Sequence, residues 1–221
     1  VDPAQHWYYL SKYLPVKRYY KKLIKQEKIP PATIIDFGSG SGFFAIQLKN
    51  DFPDLIDKVY LVDIGYESHE IEATMGKGIE KTQFVPEGLS NALILMMDVL
   101  EHIEFPDQVL DDIQQRLGDK VYCFVTVPAF MSVWSTHDVF LGHYKRYTLR
   151  TLYSLLRGAS VRIDKGYYLY FTIFPLVWIL RRIKRNQENM EQPESSDMKP
   201  VSSLLNTILF HFHSIEMKLT P

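Results

Sequence analysis

From Thr33 onward, apolar runs of strand length alternate with stretches of helical period. "TIIDF" (Thr33–Phe37) predicts a strand, "GFFAIQLKN" a helix and "KVYLVDI" a second strand, with a weak third around Lys81–Pro86. "NALILMMD" is apolar without alternation, the mark of a strand buried on both faces. "PDQVLDDIQQRLG" places Val109, Ile113 and Leu117 on one helical face and ends on Gly118. "KVYCFVTVP" follows as a strand, then "TLRTLYSLLRG" as a helix begun by Thr148 and stopped by Gly158, then "SVRIDKGYYLYF" as a strand. Strands alternating with helices predict an α/β fold with a doubly wound, mostly parallel sheet. No internal repeat is visible.

The flanks follow other rules. Residues 4–28 are rich in Tyr, Trp and Lys and predict two helical pieces broken near Pro15. Tyr167–Leu180, "YYLYFTIFPLVWIL", is almost wholly apolar. As a helix it would reach roughly 21 Å, short of the ~30 Å needed to span a bilayer core. A basic "RRIKR" comes next, then a polar, unpatterned stretch over 186–200 that predicts a mobile loop. The final segment aligns Leu204, Leu205, Ile208, Leu209, Phe212 and Ile215 on one helical face. These breaks divide the chain into an N-terminal helical lid (1–30), a core (31–171) and C-terminal apolar helices (172–221).

Composition narrows the class. A chain of 221 residues, 46% hydrophobic and 23% charged, is globular and long enough for a real core. Its net charge of −1 argues against nucleic acid as a partner. A single cysteine, Cys123, excludes an internal disulfide framework, fits a reducing compartment and reads as an inert mid-strand thiol. With no signal-peptide pattern at its start, the chain is expected in the cytoplasm.

The chemistry begins at "IIDFGSGSGFF". Gly38, Gly40 and Gly42 sit at every second position between strand and helix, where glycine admits positive φ and close approach to the main chain. Dinucleotides and S-adenosylmethionine (SAM) both rest on such a turn. A dinucleotide fingerprint can be read at Gly40, Gly42 and Ala45. Asp36 separates the two, because a carboxylate at the strand tip opposes a pyrophosphate and suits the ammonium and sulfonium of SAM. Asp63, ending the second strand about twenty residues on, matches a ribose-binding acid; as a turn residue before Gly65 it would have no ligand role.

"IIDFGSGSGFFAIQL", "VYLVDI", "LMMDVLEHI" and "TVPAFMSVWSTHDVFLGHYKRYTLRTLYSLL" together resemble the SAM-dependent methyltransferases of the methyltransferase-11/12/23 type, similar to ubiquinone-biosynthesis O-methyltransferases. The resemblance covers about residues 30–165 and implies a Rossmann-like seven-stranded sheet with SAM across the strand tips. It implies that Asp36, Gly38, Gly40 and Gly42, with Phe43 at the helix start, cradle the methionine part. Asp63 would hold the ribose, Ile64 would meet adenine, and Met97 and Asp98 would lie beside the methionine and the transferring methyl. The chain departs from the family at three places: Gln83 and Phe84 stand where an adenine-binding acid is usual, Asn91-Ala92 replaces "FD", and no seventh strand follows the last helix.

Methyl transfer to oxygen needs alignment and a base for the acceptor hydroxyl. His102 is the first candidate base, against a bland reading in which Glu101 and His102 merely pack as a pair. In "WSTHDVFLGHYKRYT", His137, Asp138, His143, Arg146 and Tyr147 are candidate substrate contacts, or else Asp138 and Arg146 pin the loop. The resemblance also allows a divalent ion at Asp98, Glu101 and His102. Residues 1–28 carry seven Lys/Arg against two acids, and with the apolar Tyr167–Leu180 they suggest a lipid-linked acceptor and peripheral contact with the inner face of a membrane. The alternative for Tyr167–Leu180 is a buried segment closing the site. A nicotinamide oxidoreductase and a non-catalytic lipid-binding module are the competing functions. Nothing in the sequence speaks to oligomeric state.

Overall fold

The structure is a computed structural model that describes residues 2–185 and 201–219. The loop expected over 186–200 lies outside the described residues. Eight helices are described: α1 (Trp7–Gln26), α2 (Phe43–Asp51), α3 (Ser68–Thr74), α4 (Pro106–Arg116), α5 (Thr136–Phe140), α6 (Leu149–Gly158), α7 (Phe174–Arg185) and α8 (Ser203–Leu219). The five described strands are β1 (Thr33–Phe37), β2 (Lys58–Val62), β3 (Ile79–Thr82), β4 (Ala92–Met97) and β5 (Tyr122–Thr126). Two compact units emerge: Lys12–Val99 with Gln108–Thr126, and Val1–Ser11 with Leu100–Asp107 and Val127–Pro221.

The first unit carries the sheet, in order β3-β2-β1-β4-β5, with every pairing parallel. Every residue of β4 is buried, as its unbroken apolar run requires. Ile34, Val59, Leu61, Leu93, Leu95 and Met97 form one core with Ala45 and Leu48 of α2 and Tyr13, Val16, Tyr20 and Leu23 of α1. The chain runs from β1 outward to β3, then returns to β4 on the other side of β1. This reversal makes the carboxyl ends of β1 and β4 a topological switch point, the place outside which such sheets bind ligands in a crevice.

Several expectations are corrected. The third strand lies at Ile79–Thr82, earlier than Lys81–Pro86. Among the described residues the sheet has five strands, not the seven that the resemblance implied. The N-terminal segment is one helix with Pro15 inside it. An interior proline costs about 3 kcal/mol, and the burial of Tyr13, Val16, Tyr20 and Leu23 immediately around it offsets that cost. That burial also removes half of α1 from the role of an interfacial helix.

The second unit corrects two more. The segment 160–171, expected as a strand, has no ladder partner and runs irregularly. Alternation gives a segment two faces, but only a neighbouring edge makes it a strand. Within Tyr167–Leu180 only the part from Phe174 is helical. In α8 the apolar stripe points outward: Leu204, Leu205, Ile208, Phe212 and Ile215 are exposed, while His213, Glu216 and Met217 are buried. Its anchor is polar. Glu216 accepts from the Phe171 N–H at 2.7 Å, from the Thr172 hydroxyl and from His213 Nδ1 at 3.2 Å. The Trp7 indole stacks on the His213 ring, 5.0 Å between centroids, and Asn206 Oδ1 accepts the Trp7 N–H at 2.8 Å, capping α1 from a distant helix.

Candidate functional site

The glycine turn ties the end of β1 to the end of β2. The N–H groups of Gly38 and Ser39 donate to Val62 O at 2.8 and 3.1 Å, and Gly42 N–H donates to Ser39 O at 2.7 Å. All three glycines have positive φ, at 69°, 50° and 73°. Their reasons differ. A Cβ on Gly38 would lie 2.6 Å from Val99 Cγ2, and one on Gly42 would lie 2.7 Å from Leu61 Cδ1. Those two serve the protein's own packing. A Cβ on Gly40 would meet nothing within 4 Å, so Gly40 is the position that presents bare main chain to open space.

Asp63 closes the turn. Its Oδ2 accepts from Gly40 N–H and its Oδ1 from Gly65 N–H, each at 2.9 Å. Two backbone donors leave lone pairs over for further acceptor work. Tyr66 donates its hydroxyl to Gly40 O at 2.8 Å and bonds Ser39 Oγ at 2.8 Å, bracing the other side.

Asp36 lies beneath the turn, 2% exposed. Burial pushes its pKa up to about 8, against the backbone hydrogen bond from Ala45 in the first turn of α2 and helped by the nearby Asp63 charge. Its Oδ2 is buried with no hydrogen-bond partner. A buried, unsatisfied carboxylate oxygen in the crevice is what a cationic ammonium would satisfy. The residues present therefore fit SAM: open main chain at Gly40, an acceptor carboxylate at Asp63 and an unfulfilled acid at Asp36.

The remaining crevice candidates are placed unevenly. Ile64 is 87% exposed at the tip of β2. Phe43 packs edge-on to Tyr13 and Phe44 at the start of α2. Met97 is buried at the end of β4. Gln83, in the usual position of an adenine-binding acid, donates its side-chain amide to Tyr66 O at 2.9 Å. Asp98 follows Met97 at φ 57° and is held at both oxygens, by Lys12 and by the Thr126 hydroxyl at 3.0 Å. Spacing gave no hint of Lys12. It becomes visible only when α1 is folded onto the sheet.

In the second unit, Leu100–His102 forms a short 3-10 turn. Tyr144 N–H donates to Glu101 O at 2.7 Å and the Tyr147 hydroxyl donates to Leu100 O at 3.0 Å, stapling this turn to the segment after α5. His102 and His143 thereby meet edge to face, 4.5 Å between centroids. Donor atoms of Glu101, His102 and His143 all lie within 4.8 Å of one another; Glu101 is buried and His102 exposed. Neither Asp98 nor His137 belongs to this group.

Asp138 and Arg146 pin the loop between them. Asp138, fully buried, accepts from Arg146 Nε at 2.7 Å and Nη2 at 3.1 Å and from Ser135 N–H at 2.9 Å, with Arg181 at 3.6 Å. Desolvation alone would raise its pKa, but Arg146 and His143 hold it below the usual carboxylate range. His143 Nδ1 lies 2.9 Å from Asp138 Oδ1. Burial pushes the Tyr147 hydroxyl and the Cys123 thiol each up to about 12, which fits an inert cysteine.

A parallel sheet with a glycine turn and acids at the tips of β1 and β2 defines a Rossmann-like nucleoside-binding protein. Residues 6–164 match the family described as a methyltransferase domain, more than half of the chain. The chain belongs to that family and is a SAM-dependent methyltransferase, which sets aside the nicotinamide alternative. No curated protein matches the sequence. Among solved structures, it is similar to a putative sarcosine dimethylglycine methyltransferase from Galdieria sulphuraria, with 15% identity over 92% of this chain and 80% of that one and a TM-score of 0.55. It also resembles LepI in complex with S-adenosylhomocysteine (SAH) and a substrate analogue, with 20% identity over 69% of this chain and a TM-score of 0.52. A structure described as a pericyclic reaction enzyme matches over 68% of this chain, with 20% identity and a TM-score of 0.51. The chain spans 43% and 42% of the last two, and likenesses at these identities speak to fold alone.

Proposed function

We propose that the protein transfers the methyl group of SAM to an oxygen of a small or lipid-linked acceptor, with a histidine of the Glu101–His102–His143 group taking the hydroxyl proton. The observation that carries the reading is the crevice at β1: an open Gly40, the orphaned Oδ2 of Asp36 and the doubly anchored Asp63. SAM when bound supplies an electrophilic methyl on a good leaving group. Asp36 binds the ammonium, Asp63 the ribose hydroxyls, and Gly40 keeps the main chain clear, while Gly38 and Gly42 let the turn pack against Val99 and Leu61. Met97 and Asp98 flank the methionine part. Lys12 holds Asp98 in place. His102, exposed and directly following the β4 tip in the chain, is the candidate general base, supported by its contact with His143.

A lipid-linked acceptor is supported by the outward apolar faces. Leu176, Trp178, Ile179, Leu180 and Ile183 of α7 are exposed, and Arg182 lies on the same helix. α8 adds Leu204, Leu205, Ile208, Phe212 and Ile215. No helix among the described residues is long and apolar enough to cross a membrane. An apolar face beside basic residues suits the surface of an anionic bilayer.

Incubation of the full chain with methyl-labelled SAM and a lipid extract tests the reading. Label in a lipid hydroxyl together with equimolar SAH is expected, and His102→Ala should slow transfer by ~10²-fold or more. Label found on nitrogen or carbon, or SAM left unconsumed with every extract, would overturn it. Since one relative in fold is described as a pericyclic reaction enzyme, SAH formation is the readout that matters.

A further inference from the structure

We propose that Lys12 is a specificity-determining residue of the cofactor site: by cancelling the charge of Asp98 at the tip of β4, it keeps the site from preferring the cationic sulfonium of SAM over the neutral thioether of SAH. The inference rests on the reading that Met97 and Asp98 lie beside the methionine part of the cofactor. It holds whichever atom of the acceptor is methylated.

The pair is built to stay closed. Lys12 is 4% exposed, and its ammonium meets one oxygen of Asp98, whose other oxygen accepts the Thr126 hydroxyl at 3.0 Å. Thr126 O also accepts the Asp98 N–H at 3.0 Å, so backbone and carboxylate are fixed together. Lys12 cannot swing away as a surface lysine can. Tyr13, Val16, Tyr20 and Leu23, which follow it in α1, are buried in the same core as β1, β2 and β4. Lys17 and the Tyr13 hydroxyl both reach Asp51 at the end of α2. A buried ammonium drawn off its partner would be left uncompensated, which holds the contact shut. All of these residues belong to the sheet-bearing unit.

SAM and SAH differ by one charge, at sulfur. As the methyl leaves, the C–S electron pair stays on sulfur and leaves a neutral thioether. The methyl carbon bonds the acceptor, and a hydroxyl acceptor gives its proton to a base. Positive charge at sulfur therefore falls on the way to the transition state. A bare carboxylate facing it would stabilise the reactant more than the transition state and slow the transfer. With Lys12 in place the strand tip carries an ion pair of no net charge, whose field at the sulfur is small. Asp36 and Asp63 do not obscure the effect, because they are assigned to the ammonium and ribose that SAM and SAH share. Neutral residues at positions 12 and 98 would also leave the sulfur without a net field; the ion pair additionally fixes α1 to the strand tip.

Calorimetric titration of the full chain with SAM and, separately, with SAH tests it. Lys12→Met leaves Asp98 bare and should raise the ratio of SAM to SAH affinity about tenfold. Asp98→Asn leaves the ammonium bare and should lower that ratio by a similar factor. The double variant Lys12→Met/Asp98→Asn should return to within about twofold of the wild-type ratio. A pair that only held the fold together would lower both affinities and leave the ratio unmoved, since folding does not distinguish a sulfonium from a thioether. A ratio unchanged in the single variants, moved by both in the same direction, or not restored in the double variant would overturn the inference. Such a result with both ligands still bound by the wild type leaves the SAM site standing. Failure of the wild type to bind either ligand would overturn the site and the inference with it.

Discussion

Lys12 of α1 and Asp98 at the end of β4 form an ion pair in which the lysine side chain is 5% exposed and the aspartate 31%. The pair ties the N-terminal helix to the strand tip at which the cofactor's methionine part is proposed to lie. It also explains how Asp98 tolerates a left-handed backbone, since Thr126 meets it at both Oδ1 and, through its carbonyl, the Asp98 N–H at 3.0 Å. Asp98→Asn strands a buried ammonium. Unfolding in urea should show a loss of about 2 kcal/mol, below the ~3–5 kcal/mol of a fully buried pair because Asp98 retains water contact. Lys12→Met should cost less than Asp98→Asn. The reverse order would mean the pair contributes little.

Asp36 makes ligand binding pH-dependent. With a pKa of about 8 it is largely protonated at pH 7, and a bound ammonium favours its ionised form. SAH binding measured by calorimetry in buffers of different ionisation enthalpy should release close to one proton at pH 7 and almost none at pH 9.5. Asp36→Asn should abolish the release and weaken binding by ~10–100-fold, the worth of a charge-assisted hydrogen bond. For stability the sign is opposite to that of an ion-paired acid. The unfolded chain loses this proton near pH 4 and the folded chain near pH 8, so stability falls as pH rises through that window. Asp36→Asn should flatten the fall.

The three glycines should respond differently to alanine. Gly40→Ala faces only its left-handed φ, a penalty of roughly 1–2 kcal/mol, yet should lose most SAH affinity because its Cβ projects into the open space. Gly38→Ala and Gly42→Ala collide with Val99 and Leu61 and should lower the melting temperature more than Gly40→Ala. Thermal unfolding with and without SAH separates the two effects.

The outward face of α7 and α8 gives a third kind of outcome. Ile179→Glu and Ile208→Glu sit at exposed positions and should shift the unfolding free energy by no more than about 0.5 kcal/mol. Co-sedimentation with vesicles containing phosphatidylglycerol should drop severalfold in the double variant. Equal sedimentation of wild type and variant would remove the membrane from the account.

The strands were legible because a parallel sheet writes itself as apolar runs between turn residues, and β1, β2, β4 and β5 stand where those runs predict. The glycine turn and its acids were legible for a similar reason, since backbone demands at one sharp bend leave few residue choices. What the sequence concealed is tertiary. Pro15 marks a helix break until Tyr13, Val16 and Tyr20 are seen buried around it. The outward stripe of α8 cannot be told from an inward one by period alone. His143 joins Glu101 and His102 only through hydrogen bonds between two separate segments, which no spacing rule encodes.

A crystal structure of the full chain with SAH bears most directly on the central claim. The account predicts the nucleoside in the crevice at the carboxyl ends of β1, β2 and β4, its ribose hydroxyls on Asp63, its ammonium on Asp36 and its homocysteine passing Gly40. Side chains filling that crevice, or SAH bound elsewhere with Asp36 still buried and unpartnered, would contradict it.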